Sequence, residues 1–272
     1  MRLCFNTANR SPQFVPDPDL GAQAVAAARA GFPLLGPDLE NVRAYLRRGH
    51  SLADLARLLA ELKLGCLELA SLHLPADETA ASREIDFVTE VAAALRPEAV
   101  LGIVHGPPAD APKLIQRAAG QLAEVGSVLA IEFMPLSPVR TLGDALALLA
   151  AAGDRRVKIV VDTWHLHNTE GSWAAFEHLD PGLLAYVQIN DGQRPVGVDV
   201  VRETLDRRLM PGAGRFDLDR FRAQLERLGF DGGVSVEVLN AGWRPAGRLN
   251  EFAATAYAAG AAFIGTRRPA PA

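Results

Sequence analysis

The sequence predicts an α/β protein built as a single (β/α)8 barrel over residues 1–265, and three observations predict it. Eight short apolar runs alternate strictly with amphipathic segments, and parallel neighbours in a sheet need such crossover helices. Eight units in 272 residues is the size of a closed barrel. No G-x-G-x-x-G follows the first run, which places an open doubly wound sheet second.

The first strand is RLCFNT, ending at Asn6. An Ala-rich helix from Pro18 to Ala30 stops at Gly31. PLLGPDL is a poor strand because of Pro33 and Pro37, but it stands where a second strand is due. Ser51 opens a helix with Asp54 three residues on, a capping-box-like start, and Leu52, Leu55, Leu58, Leu59 and Leu62 form its apolar face. CLELASL is the third strand, followed by His73, and Arg83 to Leu95 has helical spacing. AVLGIVHG is the fourth strand, ending at His105, with a helix from Ala111 to Val125 after it. SVLAIEF is the fifth strand and ends in Glu132; Thr141 then caps a helix that Gly153 closes. VKIVVD is the sixth strand, a fully apolar run broken by Asp162, and a short helix carries Trp173, Phe176 and Leu179. LAYVQIND is the seventh strand, Asp217 starts the next helix, GVSVEVL is the eighth strand, and Leu249 to Phe263 supplies the last helix. Residues 266–272 read as a frayed tail.

Composition excludes several classes. With 49% hydrophobic residues the chain can bury a sizeable core, and a net charge of −4 gives no basic footprint for nucleic acid or acidic membrane surfaces. No apolar stretch approaches transmembrane length, and MRLCFNTANRS lacks the long apolar core of a signal peptide, so a cytoplasmic location is the expectation. The two cysteines, Cys4 and Cys66, sit in apolar runs and read as core residues.

In such a barrel the active site lies at the carboxyl ends of the strands. Those ends carry Asn6, His73, His105, Glu132, Asp162, Gln188 and Glu237. Each acid singly reads as a cap or an ion-pair partner; Asp162 in particular fits the cap of a following helix. Three acids and an amide from strands five to eight, brought to one side of the mouth, would instead repel one another unless a divalent cation neutralised them.

IEFMP, VDTWH, VQIND, MPGAGRFDL and VSVEV resemble the sugar phosphate isomerase/epimerase family, with its xylose-isomerase-like barrel, and the resemblance runs over nearly the whole chain. It implies metal ligands at Glu132, Asp162, Gln188 and Glu237, and a substrate-contacting imidazole at His165. Gln188 departs from the His that many keto-sugar epimerases carry there and agrees with hydroxypyruvate isomerases and some 3-dehydroshikimate dehydratases. An amide in place of imidazole makes four oxygen ligands, which favours Mg²⁺ or Mn²⁺ over Zn²⁺ or Co²⁺, although metal availability can override that preference.

The expected function is therefore a metal-dependent isomerase or epimerase of a small keto-sugar or related polyol, acting through an enediolate. Glu132 and Glu237 would exchange the proton, His165 would hold or protonate a substrate oxygen, and His73, His105, Arg194 and Arg208 are the further substrate-contact candidates. A dehydratase of the 3-dehydroshikimate or keto-inositol kind, using the same site, is the alternative. Cutting of abasic DNA by a related multi-metal barrel fits less well, because six His and a net negative chain lack its ligand count and basic face. A barrel kept as a silent partner-binding protein would not need to hold mutually repelling groups together. The partner expected is thus a small polyhydroxylated carbonyl compound, without nucleic acid or membrane. The resemblance also implies a homo-oligomer. Trp164 and Trp243 are candidates for walling or closing the pocket, and PGAGRFD reads as a tight structural turn.

Overall fold

A computed structural model describes residues 1–107, 109–194, 196 and 199–265. Nine parallel strand segments form one sheet: β1 (Arg2–Asn6), β2 (Leu34–Gly36), β3 (Gly65–Cys66), β4 (Glu68–Leu74), β5 (Ala99–Val104), β6 (Val128–Glu132), β7 (Val157–Asp162), β8 (Leu184–Ile189) and β9 (Gly233–Val236). Their order is β3-β2-β1-β9-β8-β7-β6-β5-β4. The two ends of that order, β3 and β4, are halves of the predicted third strand, joined through Leu67. Leu67 N–H donates to the Leu35 carbonyl at 3.0 Å, Ala70 N–H to that of Pro37 at 3.0 Å, and on the other side Ala99 N–H donates to the Leu67 carbonyl at 3.0 Å. The sheet therefore comes round on itself as an eight-position barrel. His73 lies within β4 rather than after it, because the strand runs on to Leu74.

Helices occupy the crossovers, and their ends follow the capping residues. Ser51 and Thr141 each close a full capping box, with Asp54 and Asp144, and Gly31 and Gly153 take the left-handed conformation after their helices. The helix expected from Arg83 begins earlier, at Glu78, behind an Asp77 cap. Three helices absent from the sequence reading are present: Leu39–Arg47, Thr163–Asn168 and Val200–Asp206. The tail, residues 266–272, lies outside the described residues.

Strand alternation places the chemistry. Ala130, Val160 and Tyr186 belong to the cluster inside the barrel, with Cys4, Leu34 and Leu101. Ile131, Ile159, Val161, Val187 and Val236 face the outer cluster under the helices. Two residues on from an inward side chain the next one is inward again. Glu132, Asp162 and Gln188 thus inherit the inward face from Ala130, Val160 and Tyr186, one level higher, at the carboxyl ends of β6, β7 and β8. Both cysteines are buried and free, as their apolar settings predict.

Candidate active site

Asp162 does two jobs with its two oxygens. Oδ1 accepts from Trp164 N–H at 2.8 Å, capping the helix Thr163–Asn168, and from Asn190 Nδ2 at 2.7 Å. Oδ2 faces the barrel mouth, where Arg208 Nη1 donates to it at 2.7 Å. One oxygen therefore caps the helix, as the sequence allows, and the other is left to face the mouth.

Around it the structure gathers Glu132 and His165, whose ligand-type atoms and that of Asp162 all lie within 4.8 Å of one another. His165 Nε2 stands 3.6 Å from Glu132 Oε1 and 3.7 Å from Asp162 Oδ2, too far for hydrogen bonds, so the three converge without satisfying each other. His165 Nδ1 is buried without a partner among the described residues. Burial pushes His165 down to about 4, so it is a neutral imidazole at physiological pH. Burial, then the charges of Glu237 and Asp162, push the Glu132 carboxyl well above its ordinary value.

Glu237 enters from just beyond β9. Its Oε2 accepts from the same Arg208 Nη1 at 2.8 Å and its Oε1 from Asn6 Nδ2 at 3.2 Å. Burial pushes it up to about 8 against the opposing pull of Arg208. Gln188 is fully buried; its Nε2 donates to Glu68 Oε2 at 3.0 Å, while its Oε1 is left with no partner among the described residues. Glu68, which the sequence reading passed over, also accepts from Asn6 Nδ2 at 3.0 Å and from Ser235 Oγ, and so ties Asn6, Gln188 and Ser235 together beneath the mouth.

The four expected ligands therefore come to one region, with His165 beside them. Two of its three buried carboxylates, Asp162 and Glu237, share one buried cation, Arg208, and a buried amide oxygen and imidazole nitrogen have no partner among the described residues. Such a donor set fits a divalent cation. The other expected contacts divide. Arg208 is only 2% exposed and lines the cavity between the acids, whereas Arg194 is exposed on the loop after β8 and does not line it. Its loop carries it to solvent. His73 lines the cavity, with Nδ1 at 2.6 Å from Nε2 of His105, which sits behind it away from the lining. Trp164 packs under the helix Val200–Asp206, donating from Nε1 to Thr204 Oγ1 at 3.2 Å, and Trp243 packs on Phe252; neither lines the cavity. His167 is structural: it stacks on Phe216 at 4.3 Å, and its two nitrogens pair with Thr163 O and Asp217 N–H. PGAGRFD is held by buried Asp191, which accepts from the N–H groups of Gly212, Gly214 and Phe216.

This fold is a parallel barrel with buried acids gathered at the carboxyl ends of its strands. The chain belongs to the family described as xylose isomerase-like TIM barrel, which matches residues 19–265. It is 25% identical over 256 residues to an inosose isomerase of Bacillus velezensis, covering 88% of each chain. It is 30% identical over 116 residues to an inosose isomerase of Halalkalibacterium halodurans, but that match spans only 40% of the relative's length. A 3-dehydroshikimate dehydratase of Pseudomonas aeruginosa is 30% identical over 140 residues, half of this chain and 22% of that one. Among solved structures, the IolI protein with a bound zinc atom superposes with a TM-score of 0.85 at 21% identity, covering 97% of this chain and 98% of that one. D-psicose 3-epimerase of Clostridium cellulolyticum superposes at 0.75 with 14% identity, covering 97% and 98%. These relatives are enzymes, and the structural likenesses show the shared fold.

Proposed function

We propose that this chain is a divalent-metal-dependent isomerase or epimerase of a small polyhydroxylated ketone, a keto-sugar or keto-inositol, with residues 1–265 as its single catalytic unit. The observation that carries this reading is the pair Glu132 and Glu237, two buried acids that line one cavity, Glu132 in a cluster with Asp162 and His165 that could hold an ion. Asp162, Glu132, Gln188 and Glu237 would hold the ion, with His165 beside them. When bound, Mg²⁺ or Mn²⁺ (or Zn²⁺, as in the IolI structure) would supply Lewis-acid polarisation of a substrate carbonyl.

The protein's own part is proton transfer. Glu132, which has no hydrogen-bond donor of its own among the described residues, takes the proton from the carbon next to the ketone. The C–H electron pair passes into the adjacent carbonyl. Glu237, held in place by Arg208 and Asn6, returns a proton, either to the opposite face of the same carbon or, once the α-hydroxyl proton has passed to the former carbonyl oxygen, to the former carbonyl carbon as the new carbonyl forms. Neutral His165, which lines the same cavity, would hold or protonate a substrate oxygen. The partial likeness to 3-dehydroshikimate dehydratase supports a second reading, in which the same carbanion expels a β-hydroxyl.

The test is to incubate Mn²⁺-loaded protein with inosose, D-tagatose and 3-dehydroshikimate in deuterated water. Deuterium at the α-carbon with retained mass balance is the expected result, whereas a new conjugated ultraviolet chromophore would support dehydration. Glu132→Gln and Glu237→Gln are expected to abolish exchange and His165→Ala to weaken it. Full exchange in either glutamate variant would overturn the proton shuttle.

A further inference from the structure

The cavity above the donor set is small, about 160 Å³, below the roughly 300–1,000 Å³ of drug-sized sites, and so has room for one small ring or chain. Its acids ring the mouth. Glu132 and Glu237 belong to the proposed donor set, while Asp38 and Glu40 follow β2, two strand positions round the barrel from β9 and three from β6. Arg208 is the one Lys or Arg among the described lining residues, and its Nη1 is already shared by Asp162 and Glu237. Burial and then the neighbouring His105 push His73 below its ordinary value, so it brings hydrogen bonding rather than positive charge.

Phosphate and carboxylate groups are recognised by free guanidinium forks, ammonium groups or open helix N-termini. Two helix N-termini reach this cavity among the described residues, those of Thr163–Asn168 and Leu39–Arg47, and each is closed by one of the protein's own acids, Asp162 or Asp38. Asp38 Oδ2 accepts from Asn41 N–H at 3.1 Å, and Glu40 sits in the first turn. Asp38 is also fixed in position, because its N–H donates to Thr7 Oγ1 at 2.7 Å and Asn41 Nδ2 reaches its Oδ2 at 3.3 Å. Ser11, Gln13 and Ser71 line the same wall. A preorganised carboxylate among hydroxyl and amide groups suits hydroxyl donors and repels anions.

We infer that the cavity selects a neutral polyhydroxylated ketone over phosphorylated or carboxylate-bearing analogues, and that Asp38 is the specificity-determining residue that reads the hydroxyl groups distal to the reacting carbonyl. This rests on the function proposed above. It narrows the substrate class to keto-sugars and keto-inositols without an anionic group, and it sets the site against 3-dehydroshikimate.

Binding is measured by calorimetry on the Mn²⁺-loaded full chain with four probes: inosose, D-tagatose, D-tagatose 6-phosphate and 3-dehydroshikimate, with α-carbon exchange followed in parallel. D-tagatose is expected to bind at least about tenfold tighter than its phosphate, the scale of one lost hydrogen bond or one uncompensated repulsion. Asp38→Asn is expected to raise KM for the neutral ligand about tenfold with kcat little changed, and to narrow the gap to the phosphate. Glu40→Gln, which leaves the helix cap intact, is expected to narrow the same gap and serves if Asp38→Asn does not fold. Equal or tighter binding of either anion, an unchanged gap in the variants, or binding of none of the four would overturn the inference. Preferential binding of neutral ligands with no exchange would support it while overturning the proposed chemistry. Exchange confined to 3-dehydroshikimate would overturn it while leaving a metal enzyme.

Discussion

Glu68 is the residue whose replacement says most about how the donor set is held. Its carboxylate is fully buried and accepts from three groups: Gln188 Nε2 on Oε2 at 3.0 Å, and Asn6 Nδ2 and Ser235 Oγ on Oε1. Because a carboxylate only accepts, it commits the Gln188 NH₂ and leaves Oε1, the oxygen a cation wants, without a partner. Glu68→Gln keeps the shape but turns one oxygen into a second NH₂. That NH₂ must face a donor, either Gln188 or the Asn6–Ser235 pair. The cheap relief is to flip Gln188, which presents its NH₂ to the ion.

The magnitudes separate two readouts. A hydrogen bond to a charged partner contributes about 1.5–3 kcal/mol, so its loss costs folding on that order. Burial pushes the Glu68 carboxyl above its ordinary value, so a neutral side chain recovers part of that cost. Metal affinity has no such offset, and loss of an orienting partner costs about 10–100-fold. The assay is Mn²⁺ titration by chelator competition, with thermal melting of the metal-free protein alongside. Gly36→Ala is an independent route to the same end: its Cβ would stand 2.7 Å from Glu68 Cγ and Oε1, displacing the carboxylate without removing an acid. If Glu68→Gln melts like the parent and binds Mn²⁺ within twofold of it, the orienting role is refuted.

Two further perturbations test the electrostatics of the site and its far wall. Arg208→Met removes the cation that Asp162 and Glu237 share, and leaving buried charges uncompensated costs about 3–5 kcal/mol. The metal-free melting temperature should fall and Mn²⁺ should restore more of it than in the parent; an unchanged metal-free melt would remove Arg208 from this role. Asp38 is pushed by burial up to about 6 from an ordinary 3.8. The folded protein then holds this proton more tightly than the unfolded chain, so stability declines as pH rises from about 4 to about 6, by about 3 kcal/mol in all. Asn caps helices as well as Asp does. The stability advantage of Asp38→Asn over the parent should therefore grow across that window and level off above it, in denaturant melts at each pH. A gap that stays constant with pH would contradict the buried-acid account.

Most of the barrel was legible because its signals are local. Apolar runs of strand length, the Ser51–Asp54 and Thr141–Asp144 boxes and the stop glycines each act within a few residues, and the structure realises them at the expected places. What escaped was set by long-range closure. The helix Leu39–Arg47 is short, begins just after Pro37 and carries Glu40, Asn41 and Arg43, so no long apolar stripe announces it. Thr163–Asn168 is only six residues long and begins on the very acid that invites a metal reading. The break of the third strand at Leu67 exists because that strand must pair with β2 below and β5 above while the sheet comes round, which no local pattern encodes.

The same division runs through the site. Glu132, Asp162 and Gln188 could be placed from sequence because each lies two residues beyond an inward-facing core residue of its strand, and strand periodicity carries the face forward. Arg208 is legible with Arg194 as a substrate-contact candidate, but its pairing with the acids is not, because only packing against Trp164 and Thr204 turns this arginine of RETLDRRLMP inward. Glu68 gave one faint signal, a lone acid in an otherwise apolar strand run. An acid fully buried in such a run must be answered by donors from elsewhere, and here they come from Asn6, Gln188 and Ser235. A polar residue where periodicity demands an apolar one is therefore as informative as the acids at the strand ends. In this barrel it marks the support on which the donor set rests.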